Sequence, residues 1–286
     1  MEYYLGVLTV SLINVIATTG LNIFTGFTGL FSLGHAAFMA IGAYTSAILT
    51  YFYGVNYYVA LLAGAAAAAL VSLAIGYPTL RTKLRGDYFA IATLGFGEAV
   101  RVILENLKIT QGARGLPGIA KYTGLWNTLV IAAAVLWLAR NFVNSTYGRN
   151  AVAIREDAIA GEMLGIRLLE TKLISLGFSA ACAGLAGGLY AHYLSFIQPV
   201  MFTMVQSTQL TAAVVCGGTG SISGPAIAAV LFVVVPELLR AAQMWRLVLY
   251  GALLVLIMIF RPEGIMGYRE IRLPRFTQAG ALRQRK

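Results

Sequence analysis

The side chains in this sequence best suited to chemistry are polar groups set inside apolar runs. Ser11, Asn14, Thr18 and Asn22 follow one another at spacings of three, four and four within an uncharged run, Leu5 to Phe24. On a helix that spacing places them on one face. A polar stripe facing lipid is costly, so this one is expected to face protein or water. It is open to two roles: hydrogen bonding between helices, or lining a polar path. Glu98, in YFAIATLGFGEAVRVIL, is the main ionisable residue well inside an apolar segment. Such a residue is a functional candidate with a partner to be named. Arg101 at i+3 is that partner. Thr28, Ser32 and His35 lie in TGFTGLFSLGHAAF, where glycines and hydroxyls open an apolar run. They are candidates for a gate or path, against the plainer role of capping and packing a helix entrance. His192 lies near another helix end without an evident partner.

A second constellation differs in kind. GRNAVAIREDAIAGEMLGI, Gly148 to Ile166, is mixed in charge and sits between apolar segments. The pattern predicts one short helix with Val152, Ile159, Met163 and Ile166 on an apolar stripe and Arg155, Glu156 and Asp157 at its middle. Such a helix lies flat on a membrane face or inserts into a partner's groove; a plain surface loop is the alternative.

Catalytic signatures are missing. There is no P-loop, HExxH, CxxC or GxSxG. The expectation is a protein that is not an enzyme and has no cofactor or metal. If ATP powers it, another chain binds the nucleotide. Cys182 and Cys216 both fall in apolar segments and read as small buried hydrophobes.

These groups need elements to hold them. Only 11% of the 286 residues are charged, 59% are hydrophobic and the mean hydropathy is +0.77. A soluble chain carries roughly 25% charged residues. Several uncharged runs approach the roughly 20 residues that a membrane helix requires. In lipid the backbone must bond to itself, which favours helices, and the short alternating segments of a β-barrel are absent. The expected fold is all-α and polytopic, with about nine transmembrane helices (8–10) centred near Val15, Ala43, Ala68, Leu94, Ala132, Ala183, Leu210, Leu231 and Leu253. The seventh, near 202–216, is short enough to be re-entrant. A single transmembrane domain over 1–267 would contain the charged connection 141–171, followed by a basic tail, 268–286. The N-terminus, MEYYLGVLTV, reads as a first spanning helix and not as a cleaved signal.

The net charge of +10 does not point to nucleic acid. Lys and Arg gather beside the ends of apolar segments, with no basic face interleaved with aromatics. Arg81, Lys83 and Arg85, then Arg140, Arg149, Arg155, Arg167 and Lys172, then the tail, fall on one side of nine crossings. The positive-inside rule makes that side cytoplasmic and puts the N-terminus outside and the C-terminus inside. Lys108, Arg114 and Lys121 are the outward exception. Thr25 to Gly34 then becomes a cytoplasmic-side break, with the next helix beginning near Leu33. Ala180, Gly184 and Gly188, and likewise Ala36 with Ala40 and Gly42 with Ser46, form small-residue rows that let helices pack closely. TGLFSLG at Thr28 to Gly34 is echoed by TGSISG at Thr219 to Gly224, and paired interruptions of this kind point to repeats beside a substrate path.

Four stretches carry a family likeness: GLFSLGHAAFMAIGAYTSAIL, LRTKLRGDYFAIATLGFGEAVRVILEN, TQGARGLPGI and GRNAVAIREDAIAGEMLGI, with FRPEGI at Phe260 to Ile265 as a fifth. In these the chain resembles the permease subunit of branched-chain amino acid ABC transporters of the LivM type. The likeness runs from about Gly20 to Gly267. It implies a multi-pass protein of the bacterial inner membrane that pairs with a second homologous permease, two cytoplasmic ABC ATPases and a periplasmic or extracellular binding protein that delivers the amino acid. It also implies that Gly148, Arg149, Arg155, Glu156, Asp157 and Gly165 belong to the segment that couples to the ATPases. The stretch departs from the EAA spacing of other importers, and TQGARGLPGI departs from the TGG-x-x-GL form at Gln111 and Arg114. Alternatives are a related importer for urea or another small polar solute, and a secondary transporter driven by an ion gradient, which Glu98 would serve.

Overall fold

A computed structural model describes residues 2–82, 86–238, 251, 259–260 and 264–267. The chain is a bundle of helices: α1 (Glu2–Thr28), α2 (His35–Tyr53), α3 (Tyr57–Arg81), α4 (Gly86–Asn106), α5 (Leu125–Asn144), α6 (Thr146–Glu156), α7 (Ala158–Met163), α8 (Leu168–Leu194), α9 (Met204–Gly217) and α10 (Ser223–Leu238). Among the described residues, six helical stretches are long and apolar enough to cross a membrane: α1, α2, α3, α5, α8, and Pro199–Gly217, which joins a short 3-10 turn to α9. α10 is apolar but shorter. α4 carries Asp87, Glu98, Arg101 and Glu105 among its 21 residues and is not one of the six. The ninth expected segment, near Leu253, lies largely outside the described residues, as do the basic tail and Lys83 and Arg85.

α8 is the central post. It packs on α1, α2 and α3. Lipid tails are as apolar as leucine, so burying Leu and Ala contributes little to association, and close backbone approach decides it. Gly42 of α2, Gly64 of α3 and Gly184 of α8 meet at one point. A Cβ on Gly64 would sit 2.7 Å from the Gly42 carbonyl, and one on Gly184 would sit 2.9 Å from the Gly64 carbonyl. Any side chain there forces the three helices apart. Gly188 continues the row against Ser46 and Leu61.

Contacts between connections sort them onto two sides. Arg155 of α6 bonds to the carbonyls of Gly26 and Thr219. The α1–α2 and α9–α10 connections therefore lie on the α6 side. Residues 264–267 return there, with Ile265 N–H bonded to the Cys216 carbonyl at 2.7 Å. On the opposite side, Leu116 and Pro117 pair antiparallel with Ile197 and Phe196. The Tyr57 hydroxyl meets Thr123 at 2.9 Å there, and the Tyr57 ring packs on His192.

Two local expectations change. α1 does not break at Thr25; it continues to Thr28, whose hydroxyl bonds back to the Phe24 carbonyl. Thr25, Gly26, Phe27 and Thr28 are buried, so tertiary packing overrides their weak helix propensity. The irregular stretch is residues 29–34, and α2 starts at His35. Gly29 takes φ +74°, a backbone that only glycine adopts without strain. The charged connection is two helices, not one. Asp157 stands between α6 and α7, and its Oδ1 accepts from the N–H groups of Ile159 (2.8 Å) and Ala160 (3.1 Å). An Asp with extended backbone is a favoured N-cap, and it starts a new helix there. The predicted stripe is thereby divided. Val152 packs inward on the cluster of Ile23, Phe27, Ala139 and Ala151, whereas Ile159 and Met163 are 74% and 85% exposed.

Candidate functional site: a half-polar cavity beside the α1 stripe

Of the polar stripe on α1, Ser11 is buried and bonds back to the Val7 carbonyl. Asn14 and Thr18 form part of the wall of a cavity of about 310 Å³ between α1, α9 and α10. That volume sits at the lower end of the roughly 300–1,000 Å³ typical of small-molecule sites. Gln206 and Gln209 of α9 add amides. Ile13, Met39, Leu210, Met201, Phe202 and Tyr190 supply an aliphatic and aromatic wall. Gln206 Nε2 donates to Asn14 Oδ1 at 3.4 Å, and Asn14 Nδ2 donates to the Val10 carbonyl at 3.1 Å, so Asn14 is held in place. Glu237, where α10 ends, also lines the cavity and accepts from the Tyr3 hydroxyl.

Thr18 is fully buried and its hydroxyl has no partner among the described residues. An unsatisfied buried hydroxyl costs about 1–3 kcal/mol. Three more polar atoms on α1 without a partner among the described residues follow toward the α6 side: Thr19 Oγ1, Asn22 Oδ1 and Thr25 Oγ1. Asn22 spends its Nδ2 on the Ser221 carbonyl at 2.8 Å, in the α9–α10 connection. The stripe thus leads from the cavity to the glycine-rich breaks. Amides, hydroxyls and an aliphatic wall can hold a small solute that has both polar and apolar parts. Among the described residues, no cluster of His, Cys, Asp and Glu is placed to hold a metal.

The remaining candidates lie elsewhere. His35 is fully buried; one ring nitrogen meets Ser32 Oγ at 2.9 Å and the other meets Ser179 Oγ at 2.6 Å. The histidine therefore clamps the first break onto α8. Thr28 bonds within α1 and does not line the cavity. Glu98 is bound by Arg101 at 2.8 Å, and Arg101 also holds Glu105 at 2.8 Å. This partly exposed triad stands apart from the cavity. Gln206 and Gln209 are absent from the sequence-derived candidates, although their i, i+3 spacing in a short apolar segment was a signal of the same kind as the α1 stripe.

On the α6 side, Gly148 is buried where any Cβ would collide with the carbonyls of Phe142 and Val143, so α6 turns tightly off the end of α5. Arg149 is exposed and bonds to the Asn144 carbonyl at 3.2 Å. Glu156 and Asp157 are exposed. Gly165, with φ +82°, lets the chain leave α7 for α8. Ile159, Met163 and Leu164 together present an apolar surface, each at least 74% exposed.

Residues 3–258 match the family described as branched-chain amino acid transport system / permease component. The high-affinity branched-chain amino acid transport system permease protein LivM of Escherichia coli K12 is 37% identical, over 90% of this chain and 68% of its own length. A probable LivM of Methanocaldococcus jannaschii is 28% identical over 67% of this chain and 63% of its own length. The permease LivH of Escherichia coli K12 is 26% identical over 86% of this chain and 88% of its own length. No solved structure matches the chain. A bundle of apolar helices around a half-polar cavity, matched along nearly its whole length, is thus a member of the branched-chain amino acid transport permease family.

Proposed function

We propose that the chain is one permease subunit of an ATP-binding cassette importer and carries leucine, isoleucine and valine by alternating access. The family match over residues 3–258 is the observation that carries this reading. The cavity supports it: amides and the Thr18 hydroxyl suit the polar end of an amino acid, and Met39, Leu210 and Ile13 suit an aliphatic side chain. A second, LivH-like permease completes the pathway. Two ATPases supply the energy on the α6 side, and a binding protein delivers the solute at the opposite face. By the positive-inside rule the α6 side is cytoplasmic and the N-terminus lies outside. α7 is the surface offered to an ATPase, since Ile159, Met163 and Leu164 have no other cover within the described chain. The permease itself makes and breaks no covalent bond.

Uptake by the reconstituted complex tests this. Radiolabelled leucine should enter proteoliposomes only with ATP, and isoleucine and valine should compete while urea should not. Saturation by urea alone overturns the choice of solute. Uptake driven by a cation gradient without the ATPases overturns the ATP-driven mechanism. Thr18→Val tests the cavity itself. It removes an unpartnered hydroxyl at nearly constant shape, so stability should hold or rise while the apparent KM for leucine rises about fivefold to tenfold. An unchanged KM removes Thr18 from the solute's path.

A further inference from the structure

Below the cavity, one guanidinium reaches two separate segments of backbone. Arg155 Nη1 donates to the Gly26 carbonyl at 2.8 Å and to the Thr219 carbonyl at 3.4 Å. Gly26 lies in the last turn of α1, where carbonyls have lost their helical partners, and a cation at a helix C-terminus also meets the negative end of the dipole. Thr219 lies in the α9–α10 connection. The Arg155 side chain is 17% exposed. Its stem runs against Gly29, where a Cβ would sit 2.9 Å from Arg155 Cγ. Its outer edge pairs with Glu156, which is 67% exposed.

Plain helix capping would need only the Gly26 contact. Here the same nitrogen also spans to a connection 193 residues further along, at the point where the two segments already touch. A Cβ on Gly26 would meet the Thr219 carbonyl at 2.7 Å, and Asn22 bonds to the Ser221 carbonyl one turn deeper. The unpartnered atoms of Thr18, Asn22 and Thr25 end at this junction. Arg155 belongs to α6, the helix joined through Asp157 to the exposed α7.

We propose that Arg155 is a positioning residue that latches the inner end of the solute path. It holds the end of α1 against the α9–α10 connection and closes the polar stripe. A shift of α6 withdraws the guanidinium and frees both segments together. This rests on the transport reading above, but the experiment that tests it needs no solute.

Thr25→Cys is introduced into the full transporter in inside-out membrane vesicles, and labelling by a water-soluble maleimide is measured against the parent, which sets the background of Cys182 and Cys216. Thr25 is 2% exposed, so labelling should be slow. Adding Arg155→Gln should speed it about tenfold or more, the loss expected for a charge-assisted hydrogen bond. Arg155→Lys keeps the charge without the planar fork and should fall between the two; it also carries the test if Arg155→Gln does not assemble. Thr82→Cys, exposed at the end of α3, should label at one rate in all three backgrounds. Equal labelling of Thr25→Cys with Arg, Lys and Gln at position 155 overturns the latch, whatever uptake shows. Faster labelling sustains the latch even where leucine uptake fails.

Discussion

Residues 29–34 and residues 218–222 each interrupt a helical pair, and both are rich in glycine and serine. The first is fastened to the rigid centre. His35 ties Ser32 to Ser179 of α8, Thr93 of α4 accepts from the Leu33 N–H at 3.1 Å, and Ser207 of α9 accepts from the Ala36 N–H at 2.9 Å. The second break is held instead by Asn22 of α1 and by the guanidinium of Arg155 of α6, whose stem alone touches the first break at Gly29; the end of α9 that leads into it accepts from the N–H groups of Ile265 and Met266 through the carbonyls of Cys216 and Gly217. α6 is a short helix on the surface that also leads into an exposed one. Similar local sequence therefore yields one break built into the scaffold and one linked to α6, the helix that leads into the exposed α7. The two are also stitched to each other's helices: Asn22 of α1 bonds to the second break, and Thr211 of α9 bonds to the Ser32 carbonyl of the first at 3.3 Å.

Removing the first clamp should have the largest effect. His35→Ala leaves Ser32 and Ser179 hydroxyls unpaired in a sealed site and opens a void, so stability should fall by about 3 kcal/mol or more. Thermal unfolding in detergent would show it, and a variant as stable as the parent would mean that the first break needs no clamp. Next comes Asn22→Ala, which loses the bond to the Ser221 carbonyl at a cost of about 1–2 kcal/mol. Its mark should be local: faster hydrogen exchange over residues 218–222 with little change over 29–34. Equal loosening of both breaks would dissolve the distinction. Asp157→Ala should remove the cap of α7 at about 1 kcal/mol, lowering ATP-driven uptake while leaving membrane insertion intact. Thr211→Val is the smallest change, below about 1 kcal/mol, because the bond to Ser32 is long, the hydroxyl's shorter bond at 2.9 Å only returns to the Ser207 carbonyl of its own helix, and the shape is kept. A larger loss would show that the stitch between the breaks matters more than its geometry implies.

Much of this architecture was legible in the residues. Hydrophobic segments marked the positions of eight described helices, and the Ala180–Gly184–Gly188 row pointed to the face of α8 on which α2 and α3 converge. The pairing of Glu98 with Arg101 followed from i, i+3 spacing. Other features depend on partners distant in sequence. No local pattern tells that His35 will meet Ser179, or that Asn22 will reach Ser221, because helix packing makes those contacts. The end of α1 was read too early because TGFT has weak helix propensity, and burial decided otherwise. By pattern Asp157 reads as one charge in an amphipathic helix; its side chain instead caps the following N–H groups, and a cap and an exposed acid look alike in sequence. Of the polar groups in the cavity wall, Asn14 and Thr18 stand out in the sequence as part of a stripe, whereas Gln206 and Gln209 do not.

The two-residue ladder on the face opposite α6 has a mechanical side. Leu116 and Pro117 pair with Ile197 and Phe196, and the Ile119 N–H adds a bond to the Ser195 carbonyl at 3.3 Å. The loop between α4 and α5 is thereby moored to the stem that feeds α9, which carries Gln206 and Gln209 into the cavity wall. A push on that loop is transmitted to the stem with few soft joints between. The rim behaves as a lever whose short arm ends at the cavity wall.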